Sequence, residues 1–387
     1  MRIAQIIDTL DLLGGAQKMQ VVLAQMVQDM DVDLTVLVLE DRSRGTKLPN
    51  MLKALNVDVH HYPAPKLLNL PRAWKLYKFL RQGNFDLVHT NLTHANIVGV
   101  FVAWLAGIPA VAGIRNAFYV QHRFYAIRSM LESFTLNVMA DGIMAVGKAT
   151  AEAQQARFPE KPIVAIPSSV ALPKPISAEE RIRSRAVLAS NLDQPVIITV
   201  GNLIEQKGFA DLIDGFSIVQ QTYPEAQLAI VGDGELKEEL QAQIESLELT
   251  DKVKLVGRRE DVTNLLAASD IFVSSSHWEG LSNAILEAMA AGLPMVATAV
   301  ADTPNVVVHG TGLLVPPKRP TALAKAISTL LANPDMQRDL GKHAKLHVAQ
   351  HHNPFQWAGQ MLNLYRTILQ NGDIKHSKFL AVERSKS

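Results

Sequence analysis

The stretch SSSHWEGLSNAILEAMAAGLPMVAT, residues 274–298, decides the fold. It begins at the end of an apolar run, IFVSSS, that reads as a strand. A short loop carries Glu279 and Gly280. The spacing then predicts a helix from near Ser282 to Gly292, glycine being a good helix stop. A second apolar run, PMVATAV, follows at once. Strand, helix, strand in this order is a parallel βαβ unit.

The same alternation recurs along the chain. The first half carries the runs RIAQIID, DLTVLVLE, FDLVHTN, PAVAGIR, GIMAVG and PIVAIP. The second carries PVIITVGN, AQLAIVGDG, KVKLVGR, IFVSSS, PMVATAV and GLLVPP. Continuous apolar runs are what strands buried on both faces look like. Two such series predict two Rossmann-like α/β domains with parallel sheets facing across a cleft, and ligands of such sheets bind beyond the carboxyl ends of the strands. The proline- and serine-rich stretch IPSSVALPKPISAEE marks the seam. The expected division is 1–175 for the first domain and 176–353 for the second. A helix over 354–371 is expected to return to the first domain, with a flexible tail at 372–387.

Composition narrows the function classes. With 48% apolar and 19% charged residues, 387 residues can bury two cores. A net charge of +1 gives no general attraction to nucleic acid. The absence of cysteine excludes disulfides and thiolate metal sites. The first residues, MRIAQIIDTL, do not read as a signal peptide. No apolar stretch reaches the roughly 20 residues that span a bilayer, and residues 95–111 read as a helix, a Gly-Ile-Pro break and a strand. The expected location is cytoplasmic.

Within the deciding stretch, one carboxylate sits on the loop and a second, Glu287, on the first turns of the helix. Between them lie the amides of Gly280, Leu281, Ser282 and Asn283, at a helix N-terminus that favours an anion such as a diphosphate. Glu287 can accept hydrogen bonds from ribose hydroxyls. The plain alternative is that both acids are ordinary helix-start and helix-surface residues.

The surrounding EGLSN and LEAMAAGLP resemble the paired-glutamate signature of retaining glycosyltransferases of the GT-B fold, family 4 type (glycosyl transferases group 1). Gly14-Gly15-Ala16-Gln17, HTNLTHANIVG, LAGIPAV, VGNLIEQKGFADLI, IVGDGEL and TGLLVPP resemble other segments of that family, over about residues 1–370. The resemblance implies a hexosyl- or N-acetylhexosaminyl-transferase of cell-envelope polysaccharide synthesis. It would need no metal or cofactor beyond the sugar nucleotide, with UDP the leading base and GDP the second. The acceptor would be a glycan, a lipid-linked sugar or another hydroxyl compound. Lys207 falls on the lysine that binds the donor diphosphate, Glu279 on the acid near the donor sugar, and Glu287 on the ribose-binding acid. Gly14 and Gly15 fall on the glycine turn near donor or acceptor.

Several positions depart from the family pattern. Asn202 stands where an arginine is usual, with Arg258 or Arg259 as candidate replacements. The segment VADTPNVVVHG lacks the usual paired glycine. Arg115-Asn116 replaces a histidine after the strand PAVAGI, and Arg115 either binds a phosphate or sugar or caps the strand. His89 and His94, at or after the strand FDLVH, are either acceptor- or donor-side contacts or structural histidines. Asp29, Asp31 and Asp33 read as a turn rather than a metal site. Two basic-aromatic segments, PKLLNLPRAWKLYKFLRQ and RNAFYVQHRFYAIRSM, fit either a peripheral contact with anionic lipid on the inner face of the membrane or a solvated helix face. A sugar-nucleotide epimerase and a non-catalytic sugar-nucleotide-binding protein stay open as alternatives.

Overall fold

The computed structural model describes the chain except residues 11–13, 41–46, 65, 68, 118–122 and 385–387, and except the side chains of 123–125 and 371–384. Two compact units form, Met1–Ser168 with Pro354–Ser387 and Ser169–Asn353.

In the first unit, β1 (Arg2–Ile7), β2 (Asp33–Val38), β3 (Asp58–His61), β4 (Leu87–Asn91), β5 (Ala110–Ile114), β6 (Gly142–Ala145) and β7 (Ile163–Ala165) make one parallel sheet. Its order is β3-β2-β1-β4-β5-β6-β7. The second unit's strands are β8 (Val196–Val200), β9 (Gln227–Val231), β10 (Val253–Gly257), β11 (Ile271–Ser274), β12 (Met295–Thr298) and β13 (Leu313–Val315). They run β10-β9-β8-β11-β12-β13. Both orders reverse direction once, between β1 and β4 and between β8 and β11. The loops after those strands diverge there and leave a crevice, the usual ligand position of an open α/β sheet. The expected α/β architecture is therefore observed. β3 is the one strand among the described residues that the apolar runs do not announce. Its sequence, DVHH, is polar at three of four positions because it lies at the sheet edge and is partly solvated.

Strand alternation sorts the core of the first unit into two layers. Ile3 and Ile7 pack on one face with Met19, Leu23, Trp357 and Met361, while Ala4 and Ile6 pack on the other with Leu76, Val98 and Leu136. The helix Pro354–Arg384 thus belongs to the first face, and its backbone continues past residue 371, where the sequence pattern ends. Gly142 permits its close approach: a Cβ there would lie 2.5 Å from Ile368 Cδ1.

One polar cluster lies within this apolar layer. Tyr365 Oη lies 2.6 Å from His89 Nδ1 and accepts from Gln5 Nε2 at 3.1 Å. Burial lowers His89 to about 3, so it is neutral. Neither His89 nor Tyr365 faces an open site, so His89 takes the structural of its two readings. Tyr365→Phe removes one bond each from Gln5 Nε2 and His89 Nδ1, which retain their mutual contact at 3.2 Å. We expect a loss of about 1–2 kcal/mol in urea unfolding; an unchanged midpoint would show that the cluster contributes nothing.

Candidate active site

The second unit's reversal point gathers Lys207 and Glu279. Lys207 ends a 3-10 turn, Glu205–Lys207, in the loop after β8, and Glu279 lies in the loop after β11. The two loops are tied together by backbone chemistry. His277 N donates to Gln206 O at 2.8 Å, and Ser275 Oγ donates to Lys207 O at 2.8 Å. Gly208 is required at this contact. Its φ is +60°, and a Cβ would lie 2.2 Å from Ser275 O. His277 Nε2 meets Asp211 Oδ2 at 2.8 Å, which fixes the following helix Phe209–Gln220 to the same loop.

This docking brings the Lys207 ammonium onto Glu279 Oε1 in a direct ion pair. Ser276 Oγ donates to the same oxygen at 2.9 Å, and Gln206 Nε2 donates to Oε2 at 3.2 Å. The Glu279 side chain is 7% exposed and that of Lys207 18%. A carboxylate this buried is tolerable only because two neutral donors and a cation serve it.

Directly after Glu279, the helix Asn283–Ala291 begins and ends as its sequence requires. Ser282 is the N-cap, its side chain making no cap hydrogen bond, and Gly292 closes the helix at φ +80°. The first-turn amides therefore rely on partners other than that hydroxyl. Leu281 and Ser282 are buried and Glu287 is half-buried. The unusual VADTPN segment folds over this loop: Asp302 N donates to Gly280 O at 3.3 Å, and Thr303–Val306 forms a short helix.

Asn202 lies at another point of the loop that carries Lys207, and Arg258 and Arg259 lie in the loop after another strand. Asn202 is exposed in the loop after β8, its carbonyl accepting from Ile204 N at 2.9 Å. Arg258 is exposed at the end of β10, two strands from β8, or roughly 10 Å at ordinary strand spacing. Arg259 is held bidentately by Asp261 at 2.8 and 2.7 Å.

The first unit's reversal point has different chemistry. Asp8, just after β1, accepts from Ala95 N at 2.6 Å and His94 N at 3.3 Å, at the start of the helix Thr93–Ala106. Leu92, before that helix, holds φ +79°, a strained value for a branched side chain. His94 Nδ1 lies 3.0 Å from Glu40 Oε1, and its Nε2 lies 2.9 Å from Arg72 Nη2. A guanidinium only donates, so Nε2 is the acceptor and the Nδ1 proton faces Glu40. A cavity of about 210 Å³ opens here, lined by Asp8, Gln17, Glu40, His94 and Arg128 among others. Burial pushes the Asp8 carboxyl up to about 7, against the pull of the two amides, with Glu40 and Glu132 adding to the rise. Of this cluster only His94 was singled out from sequence. Asp8 carried a usable signal, an acid directly after the first strand; Arg72 read only as part of a basic helix face but is buried, and Glu40 carried none.

Gly14 caps the helix Gly15–Met26 with ordinary extended angles, φ −78° and ψ 165°. The nearest atom to an added Cβ would be Gln17 Oε1 at 2.5 Å, the end of a flexible side chain that can turn away. Arg115, at the end of β5, donates through Nη2 to Ser168 Oγ at 3.2 Å, and burial lowers it to about 10, still protonated at neutral pH. Its hydrogen-bond partner is thus a side chain of the same unit.

Residues 180–347 match the family described as glycosyl transferases group 1, and residues 13–172 match glycosyltransferase family 4. The chain is 27% identical to the UDP-Gal:alpha-D-GlcNAc-diphosphoundecaprenol alpha-1,3-galactosyltransferase of Escherichia coli, over 76% of this chain and 78% of that one. It is also 27% identical to a GDP-mannose-dependent monoacylated alpha-(1-6)-phosphatidylinositol monomannoside mannosyltransferase of Corynebacterium glutamicum, over 76% and 80%. With other curated relatives the match spans only 26% or 47% of their length. Among solved structures, Anabaena HepE in complex with UDP-glucose superposes with a TM-score of 0.84 at 22% identity, covering 95% of this chain and 100% of that one.

Two outcomes test this geometry. Lys207→Ala strands a buried carboxylate and should cost about 3 kcal/mol. The double variant Lys207→Ala/Glu279→Gln should recover part of that loss in denaturant unfolding; strictly additive losses would mean that the pair is not coupled. For Asp8, the folded value near 7 exceeds the ordinary 3.8, so the folded state binds the extra proton between those values. Wild-type stability relative to Asp8→Asn should therefore fall as pH rises from 4 to 7 and level off above. A difference independent of pH would contradict the burial of this carboxyl.

Proposed function

The chain belongs to the glycosyltransferases of family 4 and group 1, and we propose that it moves a hexosyl or N-acetylhexosaminyl group from a nucleoside-diphosphate sugar to a hydroxyl acceptor, with retention of configuration and without a metal. The observation that carries this reading is the Lys207–Glu279 pair at the reversal point of the second sheet, beside the amino end of the helix Asn283–Ala291. A diphosphate needs a compact cation and N–H donors; Lys207 and the amides of residues 280–283 are those groups. Glu279 accepts from the donor sugar's hydroxyls, and Glu287 from the ribose.

In the transfer step the acceptor oxygen bonds to the anomeric carbon as the bond from that carbon to the diphosphate oxygen breaks. The acceptor's proton passes to the departing phosphate. Lys207 and the helix amides hold the charge that develops on that phosphate, which is the work a divalent ion does elsewhere. The acceptor lies with the first unit, at Gly14 and the Asp8–Glu40–His94 cavity. The names of the two relatives aligned over most of the chain support a UDP-sugar first and a GDP-sugar second, and a lipid-linked acceptor in envelope polysaccharide synthesis.

The test is a panel of UDP- and GDP-sugars scored by thermal protection, then by acceptor-dependent nucleotide release. At a hundredfold excess over Kd a true donor stabilises by about 2.7 kcal/mol. Lys207→Ala and Glu279→Gln should each lower turnover by about 10²- to 10³-fold. Release of free nucleotide without acceptor would point to an epimerase, binding without turnover to a non-catalytic protein, and full activity in both variants would remove the site assignment.

A further inference from the structure

Three neighbouring helices cover one face of the first sheet: Leu70–Gln82, Thr93–Ala106 and Arg123–Met139. Their inner sides supply Leu76, Leu80, Val98, Val102 and Leu136 to the core. Their outer sides should then be polar, as on any surface helix, and they are not. On the last helix Ile127, Met130, Phe134 and Val138 form a stripe at helical spacing, each between 53% and 66% exposed. On the middle helix Trp104 is 52% and Leu105 49% exposed, and on the first Trp74 is 57% exposed. Single exposed apolar residues are ordinary, but an array across adjacent helices marks a contact surface.

Charge identifies what the surface contacts. Across the three helices the sequence contains one acid, Glu132. That acid is fully buried, paired with Arg157 Nη2 at 3.2 Å and accepting from Asn96 Nδ2 at 2.9 Å. The exposed charges are therefore all basic: Lys75, Lys78, Arg81 and Arg128. The Lys78 ammonium lies 5.3 Å from the Trp74 ring centre, and Trp74 stacks on Tyr77 at 5.3 Å. Aromatic rings beside lysines, with apolar side chains between and no exposed acid, suit an interface whose surface is anionic and whose interior is hydrocarbon. No helix among the described residues is long and apolar enough to cross a membrane.

We propose that this face docks on an anionic lipid bilayer. The surface also adjoins the polar cavity of the first unit. Leu67, Thr93 and Arg128 line that cavity, and they lie just before, at and one turn inside the amino ends of the three helices. Resting on the acceptor assignment made above, the docked face places the cavity mouth at the lipid surface, so the acceptor is an amphiphile whose polar head enters while its apolar part stays with the membrane.

The experiment is co-sedimentation of the full chain with sucrose-loaded vesicles of phosphatidylcholine alone or with 30% phosphatidylglycerol, with tryptophan emission as a second readout. We expect binding to the anionic vesicles, weakening as salt rises because the Lys and Arg contacts are screened. A blue shift from Trp74 and Trp104 should accompany it. Lys75→Glu/Lys78→Glu and Trp104→Ser/Phe134→Ser should each reduce binding at least tenfold while sugar-nucleotide protection is unchanged. Loss of that protection in the unmodified chain would count against the donor site alone, leaving vesicle binding readable. Wild-type protein remaining in the supernatant with unshifted emission would overturn the proposal. So would a self-associated species that Trp104→Ser/Phe134→Ser converts to monomer without any vesicle binding, since a second copy would then cover the face.

Discussion

The ion pair between Lys207 and Glu279 is the constraint on which the second unit's loops depend. A carboxylate nearly removed from water is costly unless its partners are in place. That requirement holds two loops together that come from strands 71 residues apart at their nearest ends, β8 and β11, an interval obtained as 271 minus 200. Gly208 has no side chain because Ser275 O occupies the space. Ser275, Ser276 and His277 each spend a polar group on the opposing loop or on Glu279. The helix Asn283–Ala291 then starts four residues beyond Glu279, so its amino end cannot lie far from the ammonium.

The two units share a strand order and differ in what their reversal points carry. In the second, a cation from one loop meets a carboxylate from the other. In the first, Asp8 and His94 come from the corresponding loops, and Glu40 and Arg72 close the cluster from the side. Burial, with Arg72 and Arg128 adding to it, lowers the His94 pKa against the opposing pull of Glu40. Under the proposed function, the second unit's site would meet phosphate charge and the first unit's would meet hydroxyl groups. The fold supplies the crevices, and the side chains decide the chemistry.

Much of this was legible in sequence where information is local. The helix after Glu279 was bounded by Ser282 and Gly292 because caps are local signals. All six apolar runs of the second half are strands because strands covered on both faces have no polar side. β3 escaped because it is a partly solvated edge. Contacts between distant elements carried no such signal. Lys207 and Glu279 were marked separately, and their pairing across 72 residues follows from topology alone. The Asp8, Glu40, Arg72 and His94 cluster draws on four elements. Its members look like unrelated surface residues until β1 and β4 are seen to be neighbours. Arg259 shows the converse: its partner Asp261, two residues on, was readable in sequence because the pairing is local.

The most direct measurement is calorimetric titration of UDP into the wild-type chain and Lys207→Gln across a series of salt concentrations. If Lys207 faces the diphosphate, the variant binds at least tenfold more weakly, about 1.4 kcal/mol, and its affinity depends less steeply on salt. Equal affinities with equal salt dependence would place the nucleotide elsewhere and contradict the role given to the Lys207–Glu279 pair.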